Sequence, residues 1–277
     1  MRNLVASLLL VTSPLLAAES KIQRDIAYAQ PQNERQTLDL YAPASGSDHP
    51  IVVWIHGGGW RQGDKRGVEQ KPQAFVDKGL VFVSINYRFV PQVTVKEMTG
   101  DVAKAIRWAH DHAQEFGGNP NSIFVMGHSA GAHLAALVCT DESYLKAEGL
   151  SLSIIKGCVP VDTAAYDIPQ RFAQDAAKAS DRKALFGEDD ASHRALSPIT
   201  YAGKVKSIPA FLILHVADRP DSKAQSEQFA KALQKAGVSA TVVPAEGKTH
   251  GTINSELGLP DDKPTQALFE FVARQLK

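Results

Sequence analysis

Two shortages narrow the function of this chain before any motif is considered. Its 277 residues include only two cysteines, so a framework of disulfides is excluded as the source of its stability. Lys and Arg together number 30, as do Asp and Glu, so there is no net charge to attract nucleic acid or an acidic membrane. With 44% hydrophobic and 22% charged residues, the composition indicates a globular protein with an apolar core.

Long apolar runs are also scarce, and the one that stands out lies at the N-terminus. Arg2 precedes an apolar stretch over residues 4–16, and small Ala17 and Ala18 follow it. This pattern is typical of a secretory signal peptide, which we expect over residues 1–20 with cleavage near Ala18. The stretch is too short to span a bilayer and no later one approaches its length, so we expect a secreted or periplasmic protein without a membrane span.

The two cysteines are Cys139, near the end of a predicted helix, and Cys158, within a predicted strand. Cysteine packs as a small hydrophobic residue, so we expect two buried free thiols. A single disulfide is the alternative, since an exported protein can form one.

Strand and helix patterns alternate along the rest of the chain. The predicted strands, mostly apolar runs typical of a sheet covered on both faces, are residues 24–28, 37–41, 51–55, 80–85, 123–126, 154–161, 210–215 and 240–244. Helical spacing of apolar residues follows most of them, at residues 98–116, after residue 131, and at residues 222–236 and 265–276.

This alternation predicts one α/β domain over residues 21–277. A mostly parallel sheet of about eight strands would be covered by helices on both faces, with two antiparallel strands at the start. The polar segment at about 163–209 is expected to form a small helical insert above the sheet. There are no internal repeats or low-complexity tracts.

The strand over residues 123–126 runs into a G-x-S-x-G element, G-H-S-A-G at residues 127–131. Between a strand and a helix, a serine in this element adopts a strained backbone that lifts its Oγ above the edge of the sheet. The flanking glycines are required because side chains there would clash with the neighbouring strand and helix. Ser129 is therefore a candidate nucleophile, with a plain tight turn as the alternative.

A glycine-rich loop, H-G-G-G-W at residues 56–60, follows the strand over residues 51–55. Three consecutive glycines leave backbone N–H groups unshielded, so a developing oxyanion can approach them closely. At the end of a buried strand and upstream of G-x-S-x-G, this sequence favours an oxyanion hole over a flexible turn.

A serine nucleophile needs a base, usually an imidazole held by a carboxylate. His250 is the candidate base because it follows the last predicted strand, in a loop that contains glycine. Three rival histidines fall within a helix, the insert or a strand: His133, His193 and His215, respectively. His110 and His112 are two residues apart and do not share a helix face as zinc ligands would, so we interpret them as solvated or capping residues.

Asp218 is the candidate acid. It follows the strand over residues 210–215 and gives the chain order Ser, Asp, His that is usual for a serine nucleophile of this kind. Two other carboxylates stay open as alternatives. Asp221 lies three residues later, and Asp162 ends the preceding strand, from which it could also reach a histidine.

Together these motifs resemble the α/β-hydrolase superfamily and, within it, the carboxylesterases with an HGGG oxyanion loop. The branch they resemble most contains the small hormone-sensitive-lipase-like and feruloyl-esterase-like enzymes, including kynurenine formamidases. The resemblance covers roughly Tyr41 to the C-terminus and rests on residues 56–60, 127–131, Asp218 and His250, with further similarity at residues 86–88 and 117–120.

This resemblance implies a single-domain α/β-hydrolase fold, with the backbone N–H groups of Gly58, Gly59 and Ala130 as the oxyanion hole. It implies a serine carboxylester hydrolase for a small-molecule ester that needs no cofactor. A small insert and no long apolar lid favour short-chain or aryl esters, such as feruloyl or acetyl esters. An arylformamidase is the alternative enzyme, and a non-catalytic binding protein with a hydrolase fold is the alternative from another class.

The sequence departs from the family pattern next to the candidate acid. Val216 stands after His215 where these enzymes usually have glycine. The chain has R-P-D-S at residues 219–222, where these enzymes usually have an apolar residue followed by proline.

Overall fold

The computed structural model describes residues 18–174 and 179–277, so the predicted signal peptide lies almost entirely outside the described residues. The strands are β1 (Ser20–Ala27), β2 (Thr37–Pro43), β3 (His49–Ile55), β4 (Val81–Ile85), β5 (Gly118–His128), β6 (Ile155–Val161), β7 (Ala210–Val216) and β8 (Ala240–Ala245). The α-helices are α1 (Lys71–Val76), α2 (Val95–Asp111), α3 (Ala130–Thr140), α4 (Ser143–Ala147), α5 (Ile168–Gln174), α6 (Ala179–Phe186), α7 (Asp190–Ala195), α8 (Pro220–Lys235), α9 (Thr252–Ser255) and α10 (Lys263–Gln275).

The eight strands form one sheet in the order β1-β2-β4-β3-β5-β6-β7-β8. β2 is antiparallel to β1 and to β4, and all other neighbouring pairs are parallel. The predicted α/β fold with two antiparallel strands at its start is therefore confirmed. Parallel strands bring their carboxyl ends to one edge, which is where reacting groups collect in such sheets.

Both faces of the sheet are buried, which explains why its strands are continuously apolar. Along β3, Ile51, Val53 and Ile55 belong to one core cluster, while Val52 and Trp54 belong to the other. The first cluster includes apolar residues of α2, α3 and α8, and the second includes those of α1 and α10. The sheet is thus held between two layers of helices, and its carboxyl edge is left to loops.

Several element boundaries differ from the sequence prediction. The helix predicted over residues 98–116 is α2, which begins three residues earlier at a Thr94 capping box. It ends at Asp111 with His112 as its C-cap, and a 3-10 helix, Ala113–Phe116, continues the chain. β5 begins at Gly118, five residues before the strand predicted over residues 123–126.

Segment 163–209 contains α5, α6 and α7 and a 3-10 helix, Pro198–Tyr201. Phe186 at the end of α6 packs edge-on against Trp60, with ring centroids 5.0 Å apart. This contact fixes the segment against the glycine-rich loop that follows β3.

The two cysteines are free and buried, as predicted. Cys158 on β6 donates its thiol to the carbonyl of Ala135 at 3.5 Å. Burial raises the pKa of the Cys158 thiol well above its ordinary value, so it stays protonated and packs as a small apolar group.

Over the described parts of the chain, none of the helices is long and apolar enough to cross a membrane.

The turn between β5 and α3 requires its glycines for steric reasons. A Cβ on Gly127 would lie 2.4 Å from the carbonyl oxygen of Gly131, and one on Gly131 would lie 2.1 Å from that of Ile55. A Cβ on Gly57 would meet His128 Nδ1 at 2.9 Å. The glycine-rich loop and the serine turn are therefore in backbone contact, which only glycine permits.

A pair of glycine substitutions tests this contact. Gly131→Ala should lower the free energy of unfolding by about 1–3 kcal/mol because the β3 backbone must move away from the new methyl group. Gly100→Ala is the matched control, since Gly100 lies within α2 and a Cβ there meets nothing within 4 Å. It should raise stability by about 0.5–1 kcal/mol. Urea denaturation measures both, and equal effects of the two substitutions would disprove the steric argument.

Candidate active site

Ser129 lies at the turn between β5 and α3 with φ 55° and ψ −116°. This left-handed backbone is strained for a residue with a side chain, and it is the geometry expected of a nucleophile at a strand-to-helix turn. The N–H of Ser129 donates to the carbonyl of Val161 on neighbouring β6 at 2.9 Å, which holds the strained turn in place. The side chain therefore stands at the carboxyl edge of the sheet in a fixed position.

His250 lies in the loop between β8 and α9, and its Nε2 is 2.9 Å from Ser129 Oγ. The loop is closed by a hydrogen bond from Thr249 N–H to Thr252 Oγ1 at 2.8 Å. The structure thus brings together the predicted nucleophile and base. In this arrangement the imidazole can accept the proton of the serine hydroxyl.

The carboxylate beside His250 is that of Asp162. The prediction that Asp218 is the acid partner of His250 is therefore wrong. Asp162 Oδ2 lies 2.6 Å from His250 Nδ1. Asp218 lies exposed in the turn after β7, and Asp221 faces Arg219 at 3.1 Å. Among the described residues, Asp162 is the carboxylate that forms a hydrogen bond or ion pair with His250.

Asp162 reaches His250 because of where β6 ends. β6 lies directly beside β5, the strand that Ser129 follows. Asp162 comes directly after the last residue of β6 and has a φ of 52°. The Asp162 side chain is fully buried, with 0% exposure. Asp218 lies in a solvent-exposed turn after β7, which is one strand farther from the nucleophile.

Four donors surround the Asp162 carboxylate. Oδ1 accepts from Val216 N–H at 3.1 Å and from Ser222 Oγ at 2.7 Å. Oδ2 accepts from His250 Nδ1 and from Arg219 Nη1, both at 2.6 Å. Burial alone would raise the pKa of Asp162, but the hydrogen bonds from His250 and Ser222 and the charge of Arg219 outweigh it. The pKa is therefore held well below its usual range, and the carboxylate stays ionised.

The sequence reasoning missed the residues that hold this carboxylate. Val216 and Arg219 lie where the chain departs from the family pattern, and Ser222 lies in the first turn of α8, from which its hydroxyl reaches Asp162. These departures from the family pattern were thus the available signal that the acid follows β6 and not β7. Their meaning depends on a contact between β6 and the segment after β7, which the sequence does not show.

Gly58 and Gly59 line the cavity above Ser129 and have φ values of 124° and 62°. A Cβ on Gly58 would lie 1.9 Å from the carbonyl oxygen of Gln62, so the loop can close only around glycine. Within the described hydrogen bonds, the N–H groups of Gly58 and Gly59 have no backbone acceptor. Ala130 begins α3, so its N–H lies at the positive end of that helix dipole. Gly58 and Gly59 therefore line the same cavity as Ser129, and Ala130 follows the serine directly in the chain.

A buried aromatic pair supports the glycine-rich loop from below. Tyr87 Oη donates to the carbonyl of His56 at 3.0 Å, and the two rings stack with centroids 4.5 Å apart. His56 Nδ1 lies 2.7 Å from the carbonyl of Gly57, which the neutral ring can reach as a donor. Burial lowers the pKa of His56 to about 4. The N-Y-R motif at residues 86–88, noted in the sequence only as a family likeness, thus contributes a loop support.

Two further buried histidines connect the serine turn to its surroundings. His128 Nε2 donates to the carbonyl of His250 at 2.8 Å, and the two rings lie 4.5 Å apart. His133 Nε2 donates to the carbonyl of Leu196, while its Nδ1 accepts from Trp60 Nε1 at 3.3 Å. Burial is the main cause that lowers the pKa of His128 to about 3 and that of His133 to about 4. Both are therefore neutral at physiological pH.

The cavity above Ser129 has a volume of about 790 Å³. Its apolar wall is formed by Trp60, Leu185 and Phe186. The remaining lining is polar or charged and includes Arg61, Gln62, Asp64, Glu69, Arg171 and Asn254. A ligand here would meet both an aromatic surface and hydrogen-bonding groups.

Within the described residues, no group of three or more His, Cys, Asp or Glu side chains is arranged to hold a metal ion.

The comparison with protein families agrees with this geometry. Residues 38–233 match the model of the BD-FAE family. The chain belongs to the BD-FAE family. The matched range contains the glycine-rich loop, Ser129, Asp162 and the segment after β7, whereas His250 lies beyond it.

Individual relatives are hydrolases. A probable isoprenylcysteine alpha-carbonyl methylesterase of Arabidopsis thaliana is 29% identical over 245 residues, which are 83% of this chain and 51% of that protein. The chain thus spans about half the length of this relative. The kynurenine formamidase of Danio rerio is 30% identical over 242 residues, 84% of this chain and 76% of that protein. A thermophilic esterase of Thermogutta terrifontis, solved with propionate bound, superposes with a TM-score of 0.68 at 28% identity and covers 94% of this chain and 93% of that one.

The choice of acid can be tested by two matched substitutions. Asp162→Asn should lower kcat about 10³- to 10⁴-fold, because an amide cannot hold the His250 imidazole in the same tautomer and orientation. Asp218→Asn should leave kcat within about two-fold, since that side chain is exposed away from His250. Steady-state hydrolysis of p-nitrophenyl acetate measures both, with circular dichroism to confirm folding. A large loss in Asp218→Asn together with an active Asp162→Asn would restore Asp218 as the acid.

The buried histidines predict a loss of stability in mild acid. An unfolded histidine binds a proton below about pH 6.5, whereas His56 and His133 bind one only near pH 4 and His128 only near pH 3 when folded. Because the unfolded state then binds more protons, the free energy of unfolding should fall as pH falls from 6.5 to 4. The slope should be about 1.4 kcal/mol per pH unit for each histidine.

Urea denaturation at several pH values measures this slope. His133→Gln should reduce the slope of the free energy of unfolding against pH by about 1.4 kcal/mol per pH unit, the contribution of one histidine. Asp162, whose pKa is lowered from an ordinary 3.8, begins to lose its contribution only at about pH 5, so the histidine slope is read between pH 6.5 and 5. A free energy of unfolding that stays constant between pH 6.5 and 4 would show that the three rings are not buried as neutral groups.

Proposed function

We propose that this chain is a serine carboxylester hydrolase that acts on short-chain or aryl esters, such as acetyl or feruloyl esters. The observation that carries this proposal is the continuous hydrogen-bonded line from Ser129 Oγ through the His250 imidazole to the Asp162 carboxylate. Nucleophile, base and orienting acid are then in the order that acyl transfer requires.

In the proposed mechanism, Ser129 Oγ attacks the ester carbonyl while His250 Nε2 takes its proton. The tetrahedral oxyanion is stabilised by the N–H groups of Gly58, Gly59 and Ala130. His250 then gives the proton to the leaving alcohol, and the acyl group stays on Ser129 as an ester. A water molecule, deprotonated by His250, releases the acid and restores the serine.

The cavity supports the choice of substrate. Trp60 and Phe186 provide an apolar wall that suits an aromatic or short aliphatic acyl group, while the charged side chains of the lining suit a polar alcohol part of the ester. The esterase of Thermogutta terrifontis, 28% identical to this chain, was solved with the short acid propionate, which agrees with a short acyl group.

An arylformamidase is the second candidate. The kynurenine formamidase of Danio rerio is 30% identical and most of its length is covered. The same serine chemistry would cleave a formyl–nitrogen bond if the leaving group were an aryl amine. A signal peptide over residues 1–20, as the sequence predicts, would direct the protein out of the cytosol and so favours the esterase over an enzyme for a cytosolic metabolite.

The proposed activity is tested by a panel of substrates on the wild-type chain and on Ser129→Ala. The panel contains p-nitrophenyl esters of increasing chain length, methyl ferulate and an N-formyl aryl amine. We expect the highest kcat/KM on acetyl, propionyl or feruloyl esters, and a loss of at least about 10³-fold in Ser129→Ala.

A fluorophosphonate probe separates an enzyme from a binding protein. The wild-type chain should form a covalent adduct on Ser129, located by mass spectrometry, and Ser129→Ala should form none. Full hydrolysis by Ser129→Ala would contradict the mechanism, and a faster reaction with the formyl amine than with every ester would replace the esterase by the formamidase. A wild-type chain that neither reacts with the probe nor hydrolyses the panel would be a binding protein.

A further inference from the structure

Arg219 stands beside the reacting residues but has no place in the mechanism described above. Its Nη1 lies 2.6 Å from Asp162 Oδ2 and 2.8 Å from His250 Nδ1. A guanidinium can only donate hydrogen bonds, and His250 Nδ1 already donates to Asp162. The approach of Nη1 to Nδ1 is therefore not a hydrogen bond between them. It is the approach of two donors that converge on one carboxylate oxygen.

We propose that Arg219 is a positioning residue, which fixes the Asp162 carboxylate in the orientation that holds His250 against Ser129. This proposal rests on the proposed function, since it assigns Arg219 a part in the same acyl transfer. It adds a fourth side chain to the line formed by Ser129, His250 and Asp162.

The backbone of Arg219 is fixed from both sides. Its N–H donates to the carbonyl of Val216 at the end of β7 at 3.2 Å, and its carbonyl accepts from Lys223 N–H in α8 at 2.9 Å. The residue is the N-cap of α8 and is followed by Pro220, which restricts the chain further. The side chain therefore starts from a rigid base.

The other end of the side chain is also held. Arg219 Nη2 donates to Asp221 Oδ2 at 3.1 Å, so the planar guanidinium bridges Asp221 on the outside and Asp162 on the inside. Only 28% of the Arg219 side chain is exposed. A planar group with two anchored nitrogens has little freedom to rotate, which is the advantage of arginine over lysine at such a position.

The position of the acid explains why it needs this residue. Asp162 comes from β6 and is fully buried, whereas the predicted acid position after β7 is exposed. A buried carboxylate is costly unless donors or an opposite charge compensate it. Arg219 supplies the charge from the β7 segment itself. The stretch that was predicted to provide the acid therefore provides the cation that holds the acid of the neighbouring strand.

Substitutions at Arg219 test the proposal. Arg219→Ala should lower kcat about 10- to 100-fold while KM stays within two-fold, because Asp162 loses an outer support but substrate contacts remain. Arg219→Lys, which keeps the charge without the planar bridge, should retain an intermediate kcat. Arg194→Ala is the control. Arg194 is exposed, pairs with Asp190 at 3.1 Å and does not line the cavity above Ser129, so this substitution should leave kcat unchanged.

Chemical rescue separates positioning from general damage to the fold. Millimolar guanidinium chloride should raise the kcat of Arg219→Ala several-fold because the ion can enter the partly exposed space of the lost side chain. Urea, which has a similar shape but no charge, should not. An unchanged kcat in Arg219→Ala, an equal loss in Arg194→Ala, or equal rescue by urea would each overturn the proposal.

A measurement without substrate keeps this proposal distinct from the proposed function. The proton on His250 Nδ1 that is shared with Asp162 should give a far-downfield NMR signal, assigned by its loss in Asp162→Asn. We expect the signal to weaken in Arg219→Ala and to persist in Arg194→Ala. Its full persistence in Arg219→Ala would overturn the positioning role even if wild-type hydrolysis is normal. A wild-type chain without hydrolysis but with this dependence on Arg219 would refute the proposed function alone.

Discussion

The active site depends on the hydrogen bonds that the buried Asp162 carboxylate accepts. Its two oxygens accept from the end of β7, from α8, from the segment between them and from the loop after β8. The carboxyl ends of β6, β7 and β8, which are neighbours in the sheet, are therefore connected through one side chain. Because the carboxylate is completely buried, each of these donors compensates part of its desolvation, and each is in turn fixed by it.

The fold could be predicted almost completely because its information is local. Continuous apolar strands such as β3 predict a sheet covered on both faces, and the glycine turns mark where backbones touch. The helices that escaped prediction are short, such as α1 and α4, and they have too few apolar positions to show a period.

The nucleophile and the base could also be predicted, whereas the acid could not. Ser129 is marked by its strained turn, and His250 by its position after the last strand. Asp162 and Asp218 follow the ends of adjacent parallel strands, lie between the serine and the histidine in the sequence, and fit the same chain order. They differ in two ways: the Asp162 side chain is buried whereas Asp218 is exposed, and Arg219 donates to Asp162. Both differences depend on how the edge of the sheet is packed. Without that packing, the sequence favours Asp218 by its position and leaves Asp162 as an alternative.

The elements that perform the proposed chemistry are distinct from those that would select the substrate. Ser129, Asp162 and His250 follow strands of the rigid sheet, so their positions depend on the core. Leu185 and Phe186, in contrast, belong to α6 in the insert and form part of the cavity wall.

The same two side chains also line a second cavity of about 730 Å³ next to the first. Leu185 and Phe186 thus form a partition between the space above Ser129 and this second space. Phe186 is held in this position by its edge-on contacts with Trp60 and His133. His133 belongs to the helix that begins at the nucleophile, so the partition is connected through that ring to the serine turn itself. A change in the insert can therefore alter the size of the site while the strand ends keep the reacting atoms in place.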